Sequence, residues 1–188
     1  MTTPFFFGYG SLVNQRTHGN RPAHLATARG WHRAWVAVEA HPLAVLTAVR
    51  APGAEIDGLI AAVPGHDWAA LDAREAEYDR IEATTEIAHP VDALHSIAIY
   101  SVPETRRALP RPDKPILLSY LDVVLQGYLD TFGEAGALRF FETTENWDAP
   151  ILDDRASPRY PRAQTLSGDE LAWIDAELKG RGLKVGRD

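Results

Sequence analysis

The chain contains no cysteine. That excludes disulfides, a thiol nucleophile and thiolate metal ligation. The absence suits a reducing compartment, and a cytoplasmic location is the expectation. Long apolar runs are also missing, since none approaches the about 18 residues of a membrane span. Phe5-Phe6-Phe7 is too short for the apolar core of a secretory signal, and no basic segment precedes it. Basic clusters do not occur either. The 188 residues carry a formal charge of -7, with the two signs interspersed, which argues against nucleic acid and anionic membranes as partners. With neither repeats nor a shift in composition, one domain over residues 1–188 is expected. Oligomeric state is not readable from these features.

Several chemical patterns are lacking too. His18, His24, His32, His41, His66, His89 and His95 are scattered, and none forms H-x-x-x-H or H-x-H. No metal site is expected from that spacing. No phosphate-binding loop occurs. Ser11 lies in GYGSL rather than in G-x-S-x-G, so it does not read as the nucleophile of a strand-to-helix elbow.

What the chain does have begins at once. Phe5 to Leu12 read FFFGYGSL. Consecutive phenylalanines suit a buried strand. Gly8 and Gly10 then bracket Tyr9, and Ser11 follows. Glycines there let the backbone turn and bring a ligand close to its N–H groups. A stiff apolar strand thus runs into a polar turn that can hold an anion or a polarised carbonyl, or that is simply a tight turn.

Val13 to Arg29 reads as a long loop, and Arg21-Pro22 disfavours a helix there. From Gly30 to about Val63 the pattern is β, with strands over GWHRAWVAVEA, PLAVLTAVRAPG and EIDGLIAAVPG closed by Pro52-Gly53 and Pro64-Gly65. Asp67 can cap a short helix, WAALDAREAEY. At about 100° per residue, Trp68, Leu71, Asp72 and Glu75 share one side and Glu77 faces away. A carboxylate on a core-facing stripe calls for a partner or a purpose. Pairing with Arg74 or Arg80 is one reading, and a general base in an apolar pocket is the other.

Arg80 to Ala88 and Ala93 to Val102 read as strands, and 101–115 as an irregular connection. PILLSYLDVVLQGYLDTFG has helical spacing, with Pro115 at its start and Gly133 at its stop. A second helix is expected over 134–143, then an irregular stretch over 146–162. Ser167 and Glu170 form a capping box for a last helix carrying Leu171, Ile174 and Leu178. The tail after Gly180 is expected to fray.

FGYGSL, followed well downstream by LDAREAEYDR, resembles the gamma-glutamylcyclotransferase family. The matching residues are Tyr9, Gly10, Ser11 and Leu12 in the turn and Glu75 as the acid. Tyr120 and Gly127 in PILLSYLDVVLQG are similar to a further family pattern. Ala76 stands where many members have glycine, and residues from about 139 onward form an irregular and helical extension outside the likeness. The resemblance implies an α+β fold, a small closed mixed β-barrel flanked by helices. It also implies conversion of a small-molecule γ-glutamyl substrate to 5-oxoproline, without metal or cofactor. Glu75 would be the general acid and base. The backbone of Gly10, Ser11 and Leu12 would bind the substrate, with Tyr9 and Tyr120 shaping the pocket. The leaving group would be set by the pocket mouth, expected in the 13–29 and 101–115 segments. A binding module without turnover, and a serine hydrolase using Ser11, are the alternatives.

Overall fold

A computed structural model describes residues 3–92 and 96–186 of the chain. His95 and the first residues of the strand expected over 93–102 lie outside the described residues. The central strand is β1 (Phe5–Gly8), buried along its whole length. It lies antiparallel to β3 (Ala44–Ala62) and parallel to β6 (Ile97–Ser101). A strand hydrogen-bonded on both sides and covered on both faces needs no polar alternation, which is why Phe5, Phe6 and Phe7 can follow one another.

Strand β2 (Ala23–Val38) pairs with β3 from Ala23↔Ala61 to Ala37↔Ala44. The expected loop over 13–29 is therefore shorter than its polarity implied. Ala23 to Arg29 join the sheet, with the buried Ala26 and Ala28 on its inner side and Thr27 on the other. Pro52-Gly53 does not end a strand. The chain passes through it as one long β3, with a register shift opposite Arg29 and Trp31. A bulge of this kind bends a strand without ending it.

Strands β4 (Asp79–Glu82) and β5 (Ile87–Ala88) complete the path β4-β6-β1-β3-β2-β5. Residues 107–108 and 144–145 also pair with β2. The sheet curls into a half-barrel but does not close as expected, because its path ends at β4 and β5. Both are short, and β4 is largely exposed. They offer too little backbone to bridge the gap.

Helix α1 (Ala69–Arg74) follows β3, and the Asp67 carboxylate accepts the Ala69 N–H at 3.2 Å. Helix α2 (Leu118–Glu142) is interrupted at Gly133, whose φ of 67° belongs to the left-handed region. The expected stop and second helix are thus both present. The start lies after Pro115 because Ile116–Leu117 instead pair with Ile151–Leu152. Asp154 caps α2 from far away in the chain. Its carboxylate accepts the Ser119 N–H at 2.8 Å and the Ser119 hydroxyl at 2.6 Å. Helix α3 (Gly168–Gly180) opens with the expected capping box, and Ile174 and Leu178 are buried. The tail is not frayed at Val185–Gly186, which pair with Ile151–Leu152.

Helix α2 packs directly on the loop after β1. The buried Asn14 amide donates to the Val123 carbonyl at 2.9 Å and to Gln126 Oε1 at 3.0 Å. The approach is that close because Gly127 has no side chain: an added Cβ would lie 2.6 Å from the Asn14 nitrogen. Gly127→Ala is expected to destabilise the protein by about 1–3 kcal/mol, the usual range for overpacking. Urea or thermal unfolding measures this, and an unchanged midpoint contradicts the packing argument.

Candidate active site

The turn after β1 is fixed from several directions. The Tyr9 hydroxyl donates to the Tyr100 carbonyl at 2.7 Å. The Tyr9 carbonyl accepts from Arg33 Nε at 3.0 Å and from the Tyr128 hydroxyl at 2.9 Å. His18 Nε2 lies 3.0 Å from the Leu12 carbonyl. Burial lowers the His18 pKa to about 4, so the ring is neutral near pH 7. Residues Ser11–Val13 form a single 3₁₀ turn. Its first N–H groups have no partner within the turn. Over Gly10 sits the Tyr120 hydroxyl, which a Cβ at position 10 would meet at 2.9 Å.

Glu75 reaches this turn from the end of α1. The helix stops at Arg74, and Glu75 is the capping residue with non-helical backbone (φ −102°, ψ 38°). Its N–H still bonds to the Leu71 carbonyl at 2.9 Å, so its side chain keeps the inward direction expected of the helix face. Helical rotation no longer applies beyond Glu75. Glu77 consequently does not face away; it lines the outer part of the same cavity.

Arg74 joins the two segments. Its guanidinium lies 3.1 Å from Glu75 Oε1, donates to Ser11 Oγ at 3.0 Å, and donates to the Thr17 carbonyl and hydroxyl at 3.2 Å each. Side-chain exposure is 6% for Arg74 and 15% for Glu75. Burial raises the Glu75 pKa above the ordinary carboxylate value, and the charges of Arg74 and Arg162 only partly oppose it. Glu75 is thus paired with Arg74, and its mostly buried carboxyl also faces a cavity. Burial likewise pushes the Tyr9, Tyr78 and Tyr120 phenols up, so all three remain protonated donors.

Glu75 and residues Tyr9, Gly10, Ser11, Leu12 and Tyr120 line one recess of about 20 Å³. That is room for about one water-sized group. The recess shares Ser11, Leu46, Glu75, Tyr78 and Tyr120 with an outer cavity of about 480 Å³, within the range of small-molecule sites. A larger cavity of about 1050 Å³ lies between residues 153–159 and α3. Its Asp154 caps α2, and its Arg155 is paired with Asp122 and Asp175 at 2.7 and 2.6 Å. The acid and the glycine turn meet elsewhere, in the small recess that adjoins the 480 Å³ cavity.

The mouth of that cavity differs from expectation. Neither 13–29 nor 101–115 lines it. It is formed by the turn around His41 to Leu46, by Leu117 and Tyr120, and by Arg159 to Arg162. The buried Lys114 ammonium clamps the first of these, donating to the Val38 carbonyl, to Glu39 at 2.9 Å and to His41 at 2.7 Å. Tyr78 and the 159–162 segment were not singled out from sequence. Tyr78 carried a usable signal, lying three residues after Glu75 where the chain leaves the helix. Among the described residues no cluster of metal-ligating side chains occurs, and no helix is long and apolar enough to cross a membrane.

A sequence profile of the family described as Gamma-glutamyl cyclotransferase, AIG2-like, matches residues 6–116. That is more than half of the chain, and the chain belongs to this family. Solved structures share its fold. A protein named gamma-glutamyl cyclotransferase gives a TM-score of 0.59 at 15% identity, over 92% of this chain and 98% of its own. The uncharacterized human protein loc79017 gives 0.57 at 15% identity, over 93% and 99%. YkqA from Bacillus subtilis gives 0.58 at 12% identity, over 76% of this chain and 54% of its own. At these identities the likeness is one of fold. No curated protein matches the chain in sequence.

Proposed function

We propose that this protein cyclises a γ-glutamyl amide or peptide to 5-oxoproline and releases the amine or amino acid. The observation that carries the reading is the raised-pKa carboxyl of Glu75 in one recess with the Tyr9–Leu12 turn. In a γ-glutamyl amide the α-amine can reach its own γ-carbonyl. The new C–N bond closes a five-membered ring, and the original amide C–N bond breaks. The reaction is intramolecular, so holding the folded conformer supplies much of the rate. Glu75 takes a proton from the α-ammonium and delivers it to the leaving nitrogen. The attacking nitrogen sheds a second proton as the ring closes, and that proton departs on the released amine as its ammonium. This shuttling needs an acid poised nearer neutrality than an exposed glutamate. The N–H groups of Gly10, Ser11 and Leu12, with the Tyr120 hydroxyl, receive the negative charge of the substrate or of the tetrahedral intermediate. No covalent intermediate and no cofactor is required.

The direct test is 5-oxoproline release by the purified protein from a panel of γ-glutamyl amino acids, amines and glutathione. Ligand-induced stabilisation without product would instead favour a binding module. Ser11 separates this mechanism from a serine hydrolase. Its hydroxyl already accepts from Arg74. Ser11→Ala keeps the backbone N–H and is expected to retain turnover within about tenfold, since it loses one hydrogen bond to a charged group. Abolished turnover together with fluorophosphonate labelling of Ser11 would reverse the assignment.

A further inference from the structure

The family profile ends at residue 116, yet the cavity that Glu75 faces is walled on one side by residues 159–162. That wall is held in place at both ends. Upstream, the Asp154 carboxylate accepts the Arg159 N–H at 2.8 Å, and the Tyr160 N–H lies 3.3 Å from Ser119 Oγ. Downstream, the buried Gln126 amide donates to the Thr165 carbonyl at 3.2 Å and to Glu170 at 3.1 Å. Gln126 also accepts from Asn14, so the same side chain ties the wall to the turn after β1. The Tyr160 ring packs edge-on against Tyr120 at 5.0 Å.

Arg162 is half-buried in this fixed segment and lines the outer cavity but not the inner recess. Among the described residues its guanidinium makes no hydrogen bond or ion pair. A partly desolvated guanidinium on a fixed backbone segment is suited to a carboxylate. On the cyclotransferase reading the reacting carbonyl sits between Glu75 and the Gly10–Leu12 turn, at the mouth of the water-sized recess, so a group that reaches Arg162 from the outer cavity belongs to the leaving amine. Glu77 is the competing anion at the mouth, and the Arg162 charge also reaches Glu75.

Resting on the cyclotransferase reading, we propose that Arg162 recognises a carboxylate on the leaving group. The substrate is then a γ-glutamyl amino acid or peptide, not a γ-glutamyl derivative of a neutral or cationic amine. Arg162 is a specificity residue that touches the part of the substrate which departs.

Three substrates test this: γ-glutamyl-alanine, its neutral isostere γ-glutamyl-alaninamide, and the cationic γ-glutamyl-ethylenediamine. The wild type is expected to prefer γ-glutamyl-alanine by about 10- to 100-fold in kcat/KM, the worth of one charge-assisted contact. Arg162→Gln is expected to erase the preference, with its loss on the alaninamide at least about tenfold smaller than on γ-glutamyl-alanine. Arg162→Lys should restore part of it. A preference that survives in Arg162→Gln, equal losses on both substrates, or a wild-type preference for the cationic compound overturns the proposal. Thermal shifts with the same ligands separate it from the underlying reading. Turnover without leaving-group preference removes the role of Arg162 and leaves the cyclotransferase. An Arg162-dependent stabilisation by γ-glutamyl-alanine without 5-oxoproline from any compound removes turnover and keeps the carboxylate site. Neither turnover nor such stabilisation removes both.

Discussion

Glu75→Gln is expected to lower kcat/KM for 5-oxoproline release by about 10²- to 10⁴-fold, the contribution of a positioned acid–base group. Gln keeps the size of the side chain and an oxygen that can accept from Arg74, 3.1 Å away. It cannot carry the proton. Glu77→Gln is the control. Glu77 lines only the outer cavity, and its loss should cost far less. The pH profile gives a second reading. The carboxylate is the form that takes the proton, so kcat/KM rises as pH climbs through the Glu75 pKa. Burial raises that pKa, so this limb lies above the about 4.3 of an ordinary glutamate. Stability runs the other way. A carboxyl whose folded pKa exceeds its unfolded value stabilises the protein below the unfolded value. That contribution is lost as pH rises through the folded one. The ionised, buried form is therefore costly, and removing its charge relieves this. Against it stands the Arg74 ion pair, but Arg74 keeps Ser11 Oγ and both oxygens of Thr17 as acceptors. The two effects oppose, and the midpoint of Glu75→Gln should stay within a few degrees of wild type, about 1 kcal/mol. Full turnover by this variant would sink the assignment.

The parts of the fold that were legible are those where a local rule governs. Phe5–Phe7 read as a buried strand, Ser167 with Glu170 as a cap, and Gly133 as the end of a helix, and each is decided by residues within one turn of it. Pro52-Gly53 misled because a bulge and a strand end use the same residues, and only the partner strand distinguishes them. Glu77 misled because helical rotation was carried past Arg74, where the helix stops. Closure of the barrel depended on the lengths of β4 and β5, which alternation alone does not set. At the site, the juxtaposition of Glu75 with the Tyr9–Leu12 turn was reached through the family likeness together with the helix face. The pocket mouth was not. Residues 159–162 arrive there through long-range contacts from Asp154, Ser119 and Gln126, and nothing in their own neighbourhood points to a pocket.

Arg33 is the largest omission, and it predicts the strongest effect on the fold. It lies inside an expected strand and was not singled out there. Yet alternation puts Trp31, Arg33 and Trp35 on one face, and the exposures are 1%, 1% and 0%. A charged residue between two tryptophans at period two was a usable signal. The guanidinium donates to the Tyr9 carbonyl at 3.0 Å and to Thr143 Oγ1 at 2.6 Å, and also to the Asp57 carbonyl and the Tyr128 hydroxyl. Its carbon lies 5.1 Å from the centroid of the Tyr128 ring and 5.2 Å from that of Phe140. Burial pushes the Tyr128 phenol up to about 12, so Tyr128 remains a donor, but it has one proton for two carbonyls. Without Arg33, the single Tyr128 proton is left to serve both the Tyr9 and the Asp57 carbonyl. Removing a buried cation relieves a desolvation cost of several kcal/mol. Four hydrogen bonds to a charged group, at about 1.5–3 kcal/mol each, outweigh it. Arg33→Met is therefore expected to destabilise the protein by about 2–4 kcal/mol, with a midpoint lower by about 5–15 °C. Arg33 also fixes the carbonyl from which the Gly10–Leu12 backbone turns toward Glu75. In the folded fraction of the variant kcat should fall more than KM rises, as expected of a positioning residue that never touches substrate. Arg33→Lys should recover part of the stability, since a point charge can reach some but not all of the four acceptors. A variant as stable as wild type would mean that the tryptophan-lined interior holds the turn without its cation.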